Sequence, residues 1–285
     1  MIGFPNRADS AALSGGGWVA TLPITNIKDR TLGKVARSTN LLPANTQFDI
    51  DQGTAVNTRA LAFVNHNFSL DAKYRIRGTN DPGGSYAPGA LAYDSGWSDV
   101  WPEVYPYGTK EWEEDSFWSG KYTPEEIEGY TRTLVHLLPI NLAVRRWHIE
   151  IDDQTNPAGY AEFGRLFIGP VWQPVNNMSR NGSVGWETKT QVQDLYSGGE
   201  VFDARKPFRV ARFSLNWMDE DEGLAIAFEL LRRAGIDKEV LWIHDPDDTV
   251  HAIRRRFIGR LRELSPIENP YHNVNSTSFQ IKEIQ

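Results

Sequence analysis

The sequence contains no cysteine. That absence excludes a disulfide framework, thiolate zinc sites and cysteine nucleophiles together, and leaves packing and assembly to supply stability. Long apolar runs are missing too, and no stretch reaches the length a bilayer-crossing helix needs. Met1 to Arg7 carries no charged leader followed by an apolar segment, so the expectation is a protein made and used in the cytosol or released by lysis, without membrane insertion. Basic charge is in deficit. The net charge is −7, and the imbalance sits between Gly84 and Tyr130, where Asp94, Asp99, Glu103, Glu111, Glu113, Glu114, Asp115, Glu125, Glu126 and Glu128 face only Lys110 and Lys121. Such a segment disfavours nucleic acid as a partner. There is no Gly-rich phosphate loop, no Gly-x-Ser-x-Gly elbow, no zinc motif and no His pair at ligand spacing. No cofactor and no metal is therefore expected, and no internal repeat is visible.

What is present is aromatic surface. Of 285 residues 12% are aromatic, with 10 Trp, a content suited to sandwich cores and to contact surfaces. The length favours two domains. Thr46–Asp51 alternates apolar and polar residues up to Gly53, and Lys73–Gly78 does the same, as half-buried strands should. Arg59–Val64 is a denser run that fits a strand buried on both faces. Residues 85–130 break the rhythm and read as a long insertion, rich in Gly, Pro, aromatics and acids, with one short helix at Pro124 to Gly129. Thr133–Leu138, Arg145–Asp152 and Glu162–Ile168 resume the strand pattern.

A boundary is expected where Pro170, Pro174, Asn176, Asn177, Asn181 and Gly182 crowd together. Beyond it, Arg209–Trp217 reads as a strand leading into a helix at about 219–234. Asp219, Glu220, Asp221 and Glu222 occupy its first turn, Leu224, Phe228 and Leu231 share one face, Arg232 and Arg233 close it, and Gly235 supplies the cap. Glu239–Ile243, Arg256–Leu261 and Ser276–Ile284 add strands around a turn at Asp245–Asp248. The predicted fold is mostly β: an N-terminal jelly-roll sandwich over 1–175 with its insertion, then a small β-sandwich or barrel with one α-helix over 176–285.

Three kinds of site deserve weighing. Glu111, Glu113, Glu114 and Asp115 have the chemistry of a glycosidase carboxylate pair, but clustered loop acids are more often solvated. Trp97, Trp101, Tyr105, Tyr107, Trp112 and Trp118, beside Asp94, Asp99 and Glu103, supply the platform and hydrogen-bonding groups that a sugar ring requires; the competing reading is that they pack the loop onto its own domain or onto a neighbouring subunit. Asp152, Asp153 and Asn156, or Asp245, Asp247 and Asp248, offer oxygens to a hard cation, although turn chemistry explains the second set. His136 and His148 read as core or interface residues, His66 sits beside Asn65 and Asn67 at a strand end, and Arg254-Arg255-Arg256 reads as strand-edge or helix-face charge.

Gly17-Trp18, Leu22–Ile27, Ala36-Arg37-Ser38 and Thr46–Gly53 together resemble the opening of galactose-binding-like (discoidin-type) jelly rolls, over roughly the first 170 residues. Gly96-Trp97, Trp101, Trp118–Lys121, Asn156–Tyr160, Gly164–Gly169 and Asp245–Asp248 look like segments of phage tail and prophage proteins that carry such a jelly roll. The C-terminal pattern of strands plus one helix looks like phage tail-tube and distal-tail proteins. The resemblance implies a non-enzymatic structural protein of a bacteriophage tail tip or baseplate. It would form a homo-oligomeric ring among tail-tube, hub and tape-measure proteins in the virion. The first alternative is a module that binds a host-surface glycan through Trp97, Trp101, Tyr105, Trp112, Trp118, Asp94 and Asp99; the second is a polysaccharide-degrading enzyme.

Overall fold

The computed structural model describes residues 1–196 and 198–285. They form two compact units that interleave along the chain. Pro5–Val171 and Ile243–Phe257 make the N-terminal unit; Met1–Phe4, Trp172–Trp242 and Ile258–Gln285 make the C-terminal unit. The chain is mostly β, as the alternating runs predict, and its strand pairs are antiparallel.

In the N-terminal unit the strand order is Ala36–Arg37, Glu162–Gly169, Phe48–His66, Thr133–Asp152, Lys73–Thr79 and Leu91–Asp94, with Ala12–Ser14 and Ser98–Asp99 paired at the sides. Where the sequence pattern predicts four separate strands, the structure has two long ones, Phe48–His66 and Thr133–Asp152. They run on through register shifts between Asp51 and Val56 and between Thr58 and Ala60, and bulges of this kind bend a strand without ending it. Pro139 falls in the second break, where no ladder donor is required. Leu61–Val64 is buried throughout and lies in the middle of the sheet, paired on one side with Thr133–Asp152 and on the other with Glu162–Gly169. Beneath it Phe48 stacks on Phe163 at 5.6 Å, and Trp18 meets Phe163 edge-on at 5.8 Å.

The insertion carries two short strands, Leu91–Asp94 and Ser98–Asp99, and a helix at Pro124–Ile127. Thr123 and Glu126 cap that helix reciprocally, which satisfies two otherwise orphaned backbone donors. The basic run near the C-terminus is used inside this unit. Arg255 pairs with Asp248 at 3.2 Å, Arg254 lies 5.7 Å from the centre of the Tyr122 ring, and Arg256 donates to the carbonyls of Asp245, Pro246 and Asp248.

The C-terminal sheet runs Val171–Trp172, Ile2–Gly3, Glu239–Ile243, Arg256–Leu261, Val274–Glu283, Phe208–Met218 and Ser183–Glu187, with Glu268–Tyr271 paired to Val274–Glu283. Phe213 stacks between Trp242 at 4.4 Å and Phe279 at 5.4 Å. The predicted helix forms, with acids in its first turn, Arg232 and Arg233 in its last, and Gly235 at φ +55°. Its buried face differs from expectation. Gly223, Ala227, Leu230, Leu231 and Ala234 face inward, whereas Leu224 and Phe228 are exposed. The cause is the winding: Asp221–Phe228 is π-helical before Glu229–Ala234 becomes α-helical, and i→i+5 bonding shifts the phase of the apolar stripe. Gly223 fits there because a Cβ would stand 2.7 Å from the Asn275 side chain.

Candidate ligand-binding face

Alternation along three neighbouring strands sends one set of side chains inward and the other to the outer face. Tyr74 and Ile76 enter the core while Arg75 and Arg77 face out; Trp147, Ile149 and Ile151 enter while Arg146, His148 and Glu150 face out; Phe48 and Ile50 enter while Asp49 and Asp51 face out. Register then sets Arg75 beside Glu150, Arg77 beside His148, and His148 beside Asp49. A charged ladder results. Arg77 Nη2 lies 3.0 Å from Glu150 Oε2, His148 Nδ1 2.8 Å from Asp49 Oδ1, and Arg146 Nε 2.9 Å from Asp51 Oδ2.

The insertion folds its first residues over this ladder. The Tyr86 ring is 4.9 Å from the His148 ring and 5.7 Å from the Arg77 guanidinium. Burial, reinforced by the Asp49 charge, pushes the Tyr86 phenol above its ordinary value, so it keeps its proton. Burial opposes ionisation of Asp49, yet the hydrogen bond and charge of His148 outweigh it and hold that carboxyl below its ordinary value. Further along, Arg75 grips Asp94 through two bonds of 2.9 and 2.5 Å. The bond to Arg75 is the main reason that the Asp94 carboxyl is lowered to about 2.

Together Arg75, Arg77, Tyr86, Leu91, Tyr93 and Asp94 border an open concavity of about 460 Å³. Arg75 and Asp94 are each 29% exposed, so the fork is held in place and still reachable. The arrangement presents guanidinium donors and carboxylate acceptors beside two phenolic rings and Leu91. It can hydrogen-bond a polyhydroxylated ligand and pack against its apolar face.

Of the residues singled out from the sequence, only Asp94 borders this concavity. Trp101 is buried at 7% exposure and its indole donates to the Phe68 carbonyl at 3.3 Å; it packs in the core and lines a separate small cavity with Asp99, Val104 and Tyr122. Tyr105 is partly buried, donates to the Glu126 carboxylate and carries Lys110 4.3 Å above its ring. Asp99 lies 3.9 Å from Lys121. Trp97 is half exposed and Trp112 largely exposed. Trp118, at 83% exposure, stands edge-on to Phe117, which in turn meets Tyr107 at 6.1 Å. The aromatics of the insertion thus divide between core and surface and do not form one platform.

Glu111, Glu113, Glu114 and Asp115 are exposed, and Glu114 pairs with Lys110 at 2.7 Å. Asp153 is buried and accepts from the Ser69 amide at 3.0 Å, the Ser69 hydroxyl and the Asn156 amide at 2.7 Å, so its oxygens are spent on loop structure. Asp245 accepts from the Asp247 amide at 3.0 Å, a turn contact. Among the described residues no group of three or more His, Asp or Glu side chains is placed to hold a metal ion.

Arg75, Arg77, Tyr86 and Tyr93 were missed by sequence reasoning. The signal available was the outward parity of Arg75 and Arg77 on an alternating strand; nothing local indicated that Tyr86 and Tyr93 return to it.

Comparison with solved structures finds a family 32 carbohydrate-binding module of NanJ from Clostridium perfringens, in complex with galactose, at 11% identity and a TM-score of 0.38, covering 59% of this chain and 98% of the module. A histidine mutant of the lectin-binding domain of lectinolysin, in complex with Lewis b, is similar at 11% identity and 0.38, covering 60% and 100%. A Ruminococcus gnavus family 29 fucosidase in complex with fucose is similar at 9% identity and 0.37, covering 59% of this chain and 27% of the enzyme. At such scores these likenesses assign neither a ligand nor a site to this chain. No protein-family model and no curated protein matches the sequence.

Proposed function

We propose that the protein recognises a carbohydrate through the outer face of its N-terminal unit, and that it acts by binding, not by catalysis. The observation that carries this reading is the part-exposed Arg75–Asp94 pair, which borders an open concavity together with Tyr86 and Tyr93. A pyranose offers adjacent hydroxyls, each both donor and acceptor, and an apolar C–H face. A bidentate Arg–carboxylate pair fixes the spacing of donors and acceptors to match, at little further ordering cost, and the phenolic rings supply the apolar contact.

A glycan array probed with the full-length chain, followed by calorimetry on the sugars retained, tests it. Arg75→Ala and Asp94→Asn are expected to weaken binding at least about tenfold, a loss of about 1.4 kcal/mol, while Trp118→Ala leaves it unchanged. Retention of no glycan, or loss of binding in Trp118→Ala with Arg75→Ala unaffected, overturns the reading.

A second reading, assembly with other protein subunits, has its own support in the C-terminal unit, where Val184, Trp186, Val192, Phe202, Trp217 and Phe228 are all exposed. Apolar side chains left in water mark contact with a partner where they form one contiguous patch. Placement in a phage tail tip, beside tube, hub and tape-measure proteins, is the finer form of that reading; nothing in the comparisons concerns a phage tail. Flanking tail genes and a virion map that contains the chain are its test.

A further inference from the structure

The strands Gln191–Asp194 and Glu200–Asp203 form a sheet of two, and every residue in them is exposed. Register places Val192 opposite Phe202, Gln193 opposite Val201, and Asp194 opposite Glu200. The hairpin is anchored at its base, where Thr190 Oγ1 accepts from the Arg205 amide at 3.0 Å. Beyond that base it carries Val192, Val201 and Phe202, each about half exposed, with Leu195 at the turn. A lone two-stranded ribbon is marginal in water, and like charges directly opposite each other weaken it further. Among the described residues neither Asp194 nor Glu200 makes an ion pair. The arm therefore lacks both apolar cover and positive charge.

The same unit holds a surface with the converse shortage. On the outer face of its main sheet Arg260 lies opposite Lys282, and Arg212 opposite Gln280. Arg212 and Arg262 share the single carboxylate of Glu187, at distances that for Arg262 are 2.8 Å. Arg260 and Lys282 have no carboxylate partner among the described residues. Burial, with the neighbouring charges of Lys189, Arg260 and Arg262, lowers the Lys282 ammonium below its ordinary value. Its Nζ lies 4.1 Å above the Phe208 ring, so aromatic surface accompanies the charge.

We propose that the 191–203 arm of one copy docks on the Arg260–Lys282 face of a second copy. Asp194 and Glu200 then meet Arg260 and Lys282, and Val192 and Phe202 leave water. The two surfaces are different patches, so the contact is heterologous and propagates into a ring or an open chain. This deepens the assembly reading and fails separately from it. A chain that never pairs with itself ends the proposal, whereas the broader reading falls only if the chain is also absent from any multi-protein particle.

Sedimentation velocity of the full chain across a range of concentration and salt is the test, with circular dichroism confirming that each variant is folded. Self-association is expected in the wild type and is expected to weaken as salt rises. The pair Asp194→Lys with Glu200→Lys, and separately Arg260→Glu with Lys282→Glu, should each raise the concentration for association at least tenfold. Mixing the two variants should restore it, because each retains one native surface. A wild type that stays monomeric at every concentration, an association indifferent to both reversals, or a mixture that fails to reassociate overturns the proposal.

Discussion

His136 Nε2 lies 2.8 Å from the hydroxyl of Tyr93, the ring that borders the concavity. Its Nδ1 lies 3.0 Å from the hydroxyl of Tyr74. A neutral imidazole has one donor and one acceptor nitrogen, so the ring donates to one tyrosine and accepts from the other. A second proton would make both nitrogens donors, and the tyrosine that had been donating would have to turn its hydroxyl and accept instead.

Burial lowers His136 to about 4, and burial with the nearby Arg132 charge lowers His66 to about 3. Both stay neutral in the fold while the unfolded chain takes up protons near pH 6.5. Their effect on stability is thus absent above pH 6.5 and destabilising as pH falls from there toward 4. At pH 5 each costs about 2 kcal/mol. Urea titrations of the wild type at pH 7 and pH 5 are expected to differ by about 4 kcal/mol for the N-terminal unit. His136→Gln should remove about half of that difference, and an undiminished difference would refute the assignment.

In the C-terminal unit Arg209 and Glu283 form a buried bidentate pair, their side chains 2% and 4% exposed. The Arg209 amide also donates to Glu283 Oε2 at 2.9 Å. Glu283→Gln takes the carboxylate out of this buried pair and is expected to cost about 3–5 kcal/mol in thermal unfolding. The double change Arg209→Met with Glu283→Leu should cost less than Glu283→Gln alone, because both charges of the pair are removed together.

Thr123→Ala removes one half of the capping box at Pro124–Ile127, where Thr123 Oγ1 accepts from the Glu126 amide at 3.3 Å and Glu126 Oε2 accepts from the Thr123 amide at 2.9 Å. The expected loss is about 1 kcal/mol. It should be read as faster hydrogen exchange at the Glu126 amide, with the amides of Leu61–Val64 unchanged.

Gly78 stands where a Cβ would lie 2.9 Å from the Trp147 ring, and its register partner is Tyr93. Gly78→Ala is expected to cost about 1–3 kcal/mol by overpacking and to move Trp147, which is fully buried. A shift in tryptophan emission together with weaker glycan binding is the expected signature, and an unchanged spectrum would contradict it.

Much of the frame was legible locally. The alternation in Lys73–Gly78 and Arg145–Asp152 identified strands and gave each side chain its face, because period-two patterning is a property of neighbouring residues. The acids at Asp219–Glu222 and the glycine at Gly235 marked both ends of the helix for the same reason. Its buried face was not legible, since the π winding that shifts the apolar stripe is not marked by any local residue pattern. Residue type also left Trp101 and Trp118 indistinguishable, and the fold buries one and exposes the other.

By itself the sequence determined that this is a cysteine-free, strand-built chain whose acids and aromatics concentrate in one insertion. Tertiary structure alone decided that Arg75 would close on Asp94, that Asp49, His148 and Arg77 would line up from three strands, and that Val192 and Phe202 would be left in water. The physical reason is register. Which outward side chains become neighbours is set by how whole strands slide into place over a shared core, and a one-residue slip would reverse every face.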